Sequence, residues 1–179
     1  MNVEQVELFG SHTGPPGFVY QPDYLSVPEE TALLDEIMRL PFLEARYKDY
    51  IARRRIVCFG PEAEKPQFLR PLLGRVASWL GVRAAELKQV LINEYRTGTP
   101  LGWHRDSPEY NLVAGISLGA PCRLRLRPFP RRRGDPVLSL DLAPRSAYQL
   151  CGDVRWRWQH SVPATKALRY SITFRTLAA

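Results

Sequence analysis

The chain contains three histidines, His12, His104 and His160. His104 and Asp106 stand two residues apart, a spacing that puts both side chains on one face of an extended segment. His160 lies far downstream, just after the run VRWRW. Two imidazoles and one carboxylate, with coordination positions left over, are the donor set of non-haem Fe(II) oxygenases. The imidazoles suit ferrous iron and the carboxylate lowers the net charge of the site. Three ligands on one side leave room for a co-substrate and O2. An HxD pair alone also arises by chance.

A second constellation is RYSITFR, from Arg169 to Arg175. On a strand, Arg169, Ser171, Thr173 and Arg175 share one face, and Tyr170, Ile172 and Phe174 share the other. Two guanidiniums on one face of a core-like strand are costly to bury without anionic partners. A dicarboxylate ligand would satisfy both with charge-assisted hydrogen bonds. The plainer alternative is a solvent-facing strand with scattered arginines. The third constellation is LINEYRTGTPLGWHRD, residues 91–106, where Asn93 and Tyr95 share a face. They offer an amide and a phenol to ligand oxygens, although such a pair in a strand also serves purely structural ends.

These side chains need elements to carry them. From residue 89 onward the pattern is one of short strands separated by Gly and Pro turns, over 89–95, 112–118, 122–127, 136–140, 146–150, 154–158 and 168–176. Such spacing predicts an antiparallel sandwich, barrel or jelly roll. Before residue 89 the chain reads as helical support. Ser26-Val27-Pro28-Glu29 resembles a capping box, and Leu33, Leu34, Ile37 and Met38 then fall on one helical face that Pro41 ends. A second helix fits 66–80, with a stripe of Phe68, Leu69, Leu72, Leu73, Val76 and Trp79 and with Gly81 as its C-terminal cap. Pro71 shifts its start or kinks it. Residues 42–65 read as irregular or short-stranded. Residues 1–18 read as an extended arm, followed by one domain over 19–179 with helical support over 19–88 and the β core over 89–179.

Charge is divided unevenly. Residues 1–45 hold eight acids and one base, while the remainder holds 24 bases against 10 acids. An Arg-rich body favours bidentate recognition of carboxylate or phosphate and fits an anionic partner such as nucleic acid. A solvated basic surface is the alternative. No apolar run of 18 residues exists, so no membrane span is expected. The acidic start, Met1 to Phe9, lacks the apolar stretch of a secretory signal. Cys58, Cys122 and Cys151 are odd in number and lack CxxC spacing, which argues against a disulfide framework or a structural zinc site and for a reducing cytoplasm. Nothing points to an obligate protein partner, and a monomer is expected.

Asn93, Tyr95, Gly98, His104 and Asp106, then GISLGAPCRLRLRP, then His160, then RxSxTxR together resemble the AlkB family of Fe(II)- and 2-oxoglutarate-dependent dioxygenases. The resemblance covers about 89–176, with FVYQPDYLS and RRRIVCFG as weaker echoes upstream. It implies a mainly β, α+β fold: a double-stranded β-helix, or jelly roll, with N-terminal supporting helices. It implies that His104, Asp106 and His160 bind iron. Arg169 and Tyr95 would hold the distal carboxylate of 2-oxoglutarate, and Asn93 and Arg175 would lie near the carboxylate that chelates the metal. Ser171 stands where the family usually has Asn, so one hydrogen bond to the co-substrate is weaker or bridged by water.

The activity so implied is oxidative removal of N-alkyl groups from nucleobases of DNA or RNA, as in repair of alkylation damage, with succinate, CO2 and formaldehyde as products. Tyr47, Tyr50, Arg53, Arg54 and Arg55 lie where the family has its nucleotide-recognition lid, and an exposed loop with a solvated Arg cluster is the alternative there. Ser107-Pro108-Glu109 is a short segment where repair members place further acids that read the base. Two other functions compete: the same iron chemistry on a small molecule or a protein side chain, and a non-catalytic basic module that binds nucleic acid.

Overall fold

The computed structural model describes residues 14–47 and 50–178, with the side chains of 46–52 outside the description. Most of the expected arm, His12 included, therefore lies outside the described residues. In chain order the first elements are β1 (Phe18–Gln21), α1 (Val27–Ile37), β2 (Leu43–Tyr47), β3 (Tyr50–Phe59), α2 (Arg70–Leu80) and β4 (Leu87–Tyr95). They are followed by β5 (Leu101–His104), β6 (Tyr110–Gly119), β7 (Cys122–Pro128), β8 (Leu138–Leu142) and β9 (Ala147–Leu150). A short helix α3 (Gly152–Arg157) leads into β10 (Trp158–Val162), and β11 (Arg169–Leu177) ends the fold.

The strands pair antiparallel in two sheets, one ordered β1-β9-β6-β11-β4-β3-β2 and one ordered β5-β10-β7-β8. This is the expected jelly roll. Helices α1 and α2 cover the outer face of the larger sheet, where Leu33, Ile37, Leu69, Leu72 and Val76 pack with Ile92, Ile116, Ile172 and Phe174. A second cluster, including Val113, Leu124, Leu126, Leu142, Leu150 and Val162, fills the space between the sheets. Strand β11 lies between β4 and β6 and is buried along all but its last residue. One of its faces feeds the helical core and the other faces the sheet interior.

Local chemistry accounts for the helices. Ser26 Oγ accepts from Glu29 N at 3.4 Å, and Glu29 Oε2 accepts from Ser26 N at 2.8 Å, a complete capping box. Glu29 also pairs with Arg75, which ties α1 to α2. Pro71 sits in the first turn of α2, where a missing N–H costs nothing, so it sets the start of the helix and does not kink it. Gly81 ends α2 with φ 69°, a left-handed cap.

Three readings need correction. Residues 42–65 are mostly regular, because β3 is ten residues long and pairs with β4 from Arg55↔Glu94 to Phe59↔Val90. Residues 154–157 are not a strand: Val154 and Arg155 are neighbours and both buried, as a helix face allows, and the strand starts only at Trp158. Residues 18–21, at the boundary of the expected arm and the helical support, form β1 on the edge of the larger sheet. At Gly115 the space is taken: a Cβ there would lie 2.3 Å from Tyr148 Cζ, on the strand paired with β6.

The two-faced burial of β11 gives a measurable outcome. Ile172→Ala empties a fully buried position and should cost about 2–5 kcal/mol in urea denaturation. Leu177→Ala, on an exposed side chain of the same strand, should stay within about 0.5 kcal/mol.

Candidate metal centre

His104 ends β5 and His160 lies in β10, and the two are Cα partners across the ladder. Pairing puts both imidazoles on the inner face of the smaller sheet, with ring centroids 4.2 Å apart. Asp106 follows two residues after His104, in the segment that leads to β6. Ligating atoms from His104, Asp106 and His160 all lie within 4.8 Å of one another. The Nδ1 of His104 sits 2.9 Å from the Gly102 carbonyl oxygen. That contact makes Nδ1 the donor and leaves Nε2 with a free lone pair.

The protonation states suit ligation. Burial lowers the pKa of both imidazoles, His160 to about 3 with further help from His104, so both are neutral at pH 7. Burial by itself would raise the Asp106 carboxyl, but the charges of Arg175, His160 and His104 outweigh it and hold the pKa well below the usual carboxylate range. Arg175 donates from Nη2 to Asp106 Oδ1 at 2.6 Å and from Nη1 to Gln89 Oε1 at 2.7 Å. The Asp106 side chain is 7 % exposed, so this is a buried pair whose loss would strand a charge.

The inner face of β11 continues the site. Arg169 is 1 % exposed, donates from Nε to Ser117 Oγ at 3.2 Å, and lies over the Tyr95 ring with 5.0 Å to the centroid. Among the described residues no carboxylate pairs with it. Asn93 Oδ1 accepts from Arg54 Nε at 3.1 Å, and Asn93 Nδ2 donates to Ser171 Oγ at 3.4 Å. One cavity is lined by His104, Asp106, His160, Asn93, Tyr95, Arg54, Arg169, Ser171 and Arg175, with Leu101, Leu124 and Leu142 among its apolar walls.

The donor set fits a ferrous ion. Its members are two neutral imidazoles and one ionised carboxylate, gathered on one side of an open cavity. The buried charge of Arg169, left without a carboxylate partner, fits an anionic co-substrate beside that ion.

The expected lid residues separate. Arg54 is buried and reaches the cavity, Arg53 is exposed, and Arg55 donates to Glu94 at 2.8 and 2.7 Å. That bidentate pair, with Tyr170 also donating to Glu94, is held away from the cavity lining. Tyr47 and Tyr50 face each other in register at the β2–β3 turn, and their side chains lie outside the described residues.

Several contributors were not singled out from the sequence. Gln89 and Ser117 brace the two arginines, and Tyr148 lines the cavity. Arg155 is 3 % exposed and donates from Nη2 to the carbonyl oxygens of Ser107 and Tyr110, both at 2.6 Å, which fixes the turn after Asp106. The polar residue facing each arginine across a strand pair was the available signal for Gln89, and none existed for Arg155.

Below about pH 6.5 the unfolded chain binds protons at both histidines that the folded site does not, so stability falls with pH. For His160, with a folded value of about 3, the loss from pH 7 to 5 is on the order of 2 kcal/mol. The Asp106 contribution follows only at lower pH, as its depressed carboxyl titrates. The urea midpoint of the metal-free chain should drop over that range, and His160→Gln should flatten the slope. An equally steep variant would refute the buried neutral imidazole.

The family model of the 2OG-Fe(II) oxygenase superfamily matches residues 43–175, a stretch that takes in all three candidate ligands and Arg175. A protein of Arabidopsis thaliana described as "Alkylated DNA repair protein ALKBH8 homolog" is 28% identical over 195 residues, covering 90% of this chain and 55% of that protein. A Danio rerio protein described as "Probable RNA/DNA demethylase ALKBH6" is 28% identical over 127 residues, covering 66% of this chain and 53% of that protein. The chain thus spans about half the length of these two relatives. The solved structure of OsALKBH1 superposes with a TM-score of 0.67 at 16% identity, covering 92% of this chain and 99% of that one. A prolyl hydroxylase from Trichoplax adhaerens superposes with a TM-score of 0.69 at 16% identity, covering 90% and 83%. These two structural likenesses show the jelly roll alone. Members of the matched family use Fe(II), 2-oxoglutarate and O2, and the three converging donors stand inside the matched stretch. Since that match covers more than half of its length, the chain belongs to the 2OG-Fe(II) oxygenase superfamily, with AlkB-like relatives.

Proposed function

We propose that this chain is an AlkB-like dioxygenase that removes N-alkyl groups oxidatively from the nucleobases of DNA or RNA, releasing succinate, CO2 and formaldehyde. The observation that carries the reading is a buried Arg169, with no carboxylate partner among the described residues, in the same cavity as the His104–Asp106–His160 cluster. The nucleic-acid half rests on the printed names of the relatives and on the excess of arginine after residue 45.

In this reading His104, Asp106 and His160 hold the ferrous ion, which when bound supplies, with O2, the oxidising chemistry. Arg169 and Tyr95 hold the distal carboxylate of 2-oxoglutarate. Asn93 and Ser171 offer hydrogen bonds to it from neighbouring strands. Arg175 keeps Asp106 ionised and fixed in direction, and it lies beside the chelating carboxylate. Apolar walls such as Leu101, Leu124 and Leu142 limit the water that reaches the reacting atoms. A base must leave its stack to enter such a cavity. Arg54, already within it, meets the incoming base or its phosphate, and the segment that carries Tyr47, Tyr50 and Arg53 is the candidate substrate lid. Arg55 braces that turn through Glu94.

A second reading keeps the metal chemistry and changes the prime substrate to a small molecule or a protein side chain. The short segment Ser107–Glu109, between Asp106 and β6, favours it, since little loop is left to read a base. A panel of methylated and unmodified oligonucleotides, followed for succinate and formaldehyde together, separates the two. Formaldehyde from methylated oligonucleotides alone supports the first reading. Iron-dependent succinate with no formaldehyde from any of them sinks it.

Two variants probe the site itself. Asp106→Ala, or removal of iron by a chelator, should abolish succinate release, and undiminished turnover would refute the ligand assignment. Arg169→Ala should raise the KM for 2-oxoglutarate about 10- to 100-fold, the worth of a lost charge-assisted hydrogen bond. An unchanged KM would remove Arg169 from the co-substrate site.

A further inference from the structure

The strands that carry the two imidazoles have a second face. Opposite His104 and His160, on the outside of the smaller sheet, lie Trp103 on β5, Gln159 and Ser161 on β10, and Arg123, Arg125 and Arg127 on β7. The Arg125 and Arg127 guanidiniums lie over the Trp103 ring at 4.9 and 4.2 Å from its centroid. Arg125 donates to Ser161 Oγ at 3.1 Å, and Arg127 donates to Gln159 Oε1 at 2.9 Å. Arg105, just past the end of β5, lies over the Phe129 ring at 4.3 Å.

The charge balance of this face is uneven. Arg123 is matched by Asp141 at 2.9 Å. Among the described residues, Arg105, Arg125 and Arg127 have no carboxylate partner. Their partners are a hydroxyl, an amide, a backbone carbonyl and aromatic faces, all neutral, so their orientation is fixed while their charge stays unspent. A guanidinium ordered in advance loses less entropy when it meets a phosphate. Successive outward residues of one strand stand about 6.6 Å apart, close to the spacing between phosphates of an extended nucleic-acid strand.

We propose that the outer face of the smaller sheet, centred on Arg125, Arg127 and Trp103 with Arg105 at its rim, is a docking surface for the phosphate backbone of a nucleic-acid strand. The proposal rests on the nucleic-acid reading of the site and deepens it. β5 is the edge of its sheet, so a strand bound on the outer face can cross that edge and deliver a base to the cavity on the inner face.

The test is anisotropy of a labelled, unmodified single-stranded oligonucleotide on the full chain, measured as a function of salt. The expected result for Arg125→Gln/Arg127→Gln is a Kd at least about ten-fold weaker, with a slope of log Kd against log salt lowered by about 1.4, the share of two single-strand phosphates. Arg123→Gln/Asp141→Asn, which removes a pair that already neutralises itself, should change neither. Ser139→Glu, placed across from Arg125 on the exposed edge strand β8, keeps every arginine and should weaken binding in the same direction, which guards against a misfolded double variant. An unchanged Kd and slope in both the double variant and Ser139→Glu would overturn the proposal. So would competition by polyglutamate as effective as that by oligonucleotide, which would mark the face as one for acidic protein. Because the probe carries no methyl group, salt-dependent binding without any demethylation would sink the proposed activity and keep the surface. Demethylation with unaltered binding in the variants would do the reverse.

Discussion

Burying positive charge in the middle of a β-sandwich is the constraint around which this molecule is arranged. Arg169 and Arg175 lie on a strand buried along all but its last residue. A guanidinium so placed needs opposite charge or a dense set of acceptors, or it destabilises the fold by several kcal/mol. Arg175 finds Asp106 and Gln89. Among the described residues Arg169 finds Ser117 and the face of Tyr95, both neutral. The asymmetry separates them: one arginine is matched by a carboxylate of the protein, and the other, among the described residues, is not.

The same burial prepares the donors. An imidazole in an apolar wall between cations loses its proton, and a carboxylate gripped by an arginine keeps its charge. Both outcomes favour a cation at the point where the three side chains meet. Electrostatics and ligation therefore pull in one direction, with no need for a separate base to deprotonate a ligand.

Much of this was legible in the letters. Alternation in RYSITFR separated the two faces of β11 correctly, because a strand flanked on both sides by other strands shows its pleat plainly. The Ser26 capping box and Gly81 marked the helices, because cap chemistry is local. Other parts were hidden for physical reasons. The triplet Arg53-Arg54-Arg55 looks like solvated charge, yet its members go to solvent, to the cavity and to Glu94, depending on a register with β4 set far along the chain. VRWRW mimics a strand because a short helix can carry alternating letters while burying neighbours. The grip of Arg155 on two carbonyl oxygens depends on tertiary distance, which no spacing encodes.

The position of β5 has one further consequence. It is four residues long, it sits at the border of the smaller sheet, and its ladder with β10 is irregular between His160 and Val162. A long, flat border strand invites a stranger's backbone to continue the sheet. Brevity, the break in register and the adjacent Arg105 withhold that invitation. The segment that must stay accessible for chemistry is thereby kept from becoming a seed for aggregation.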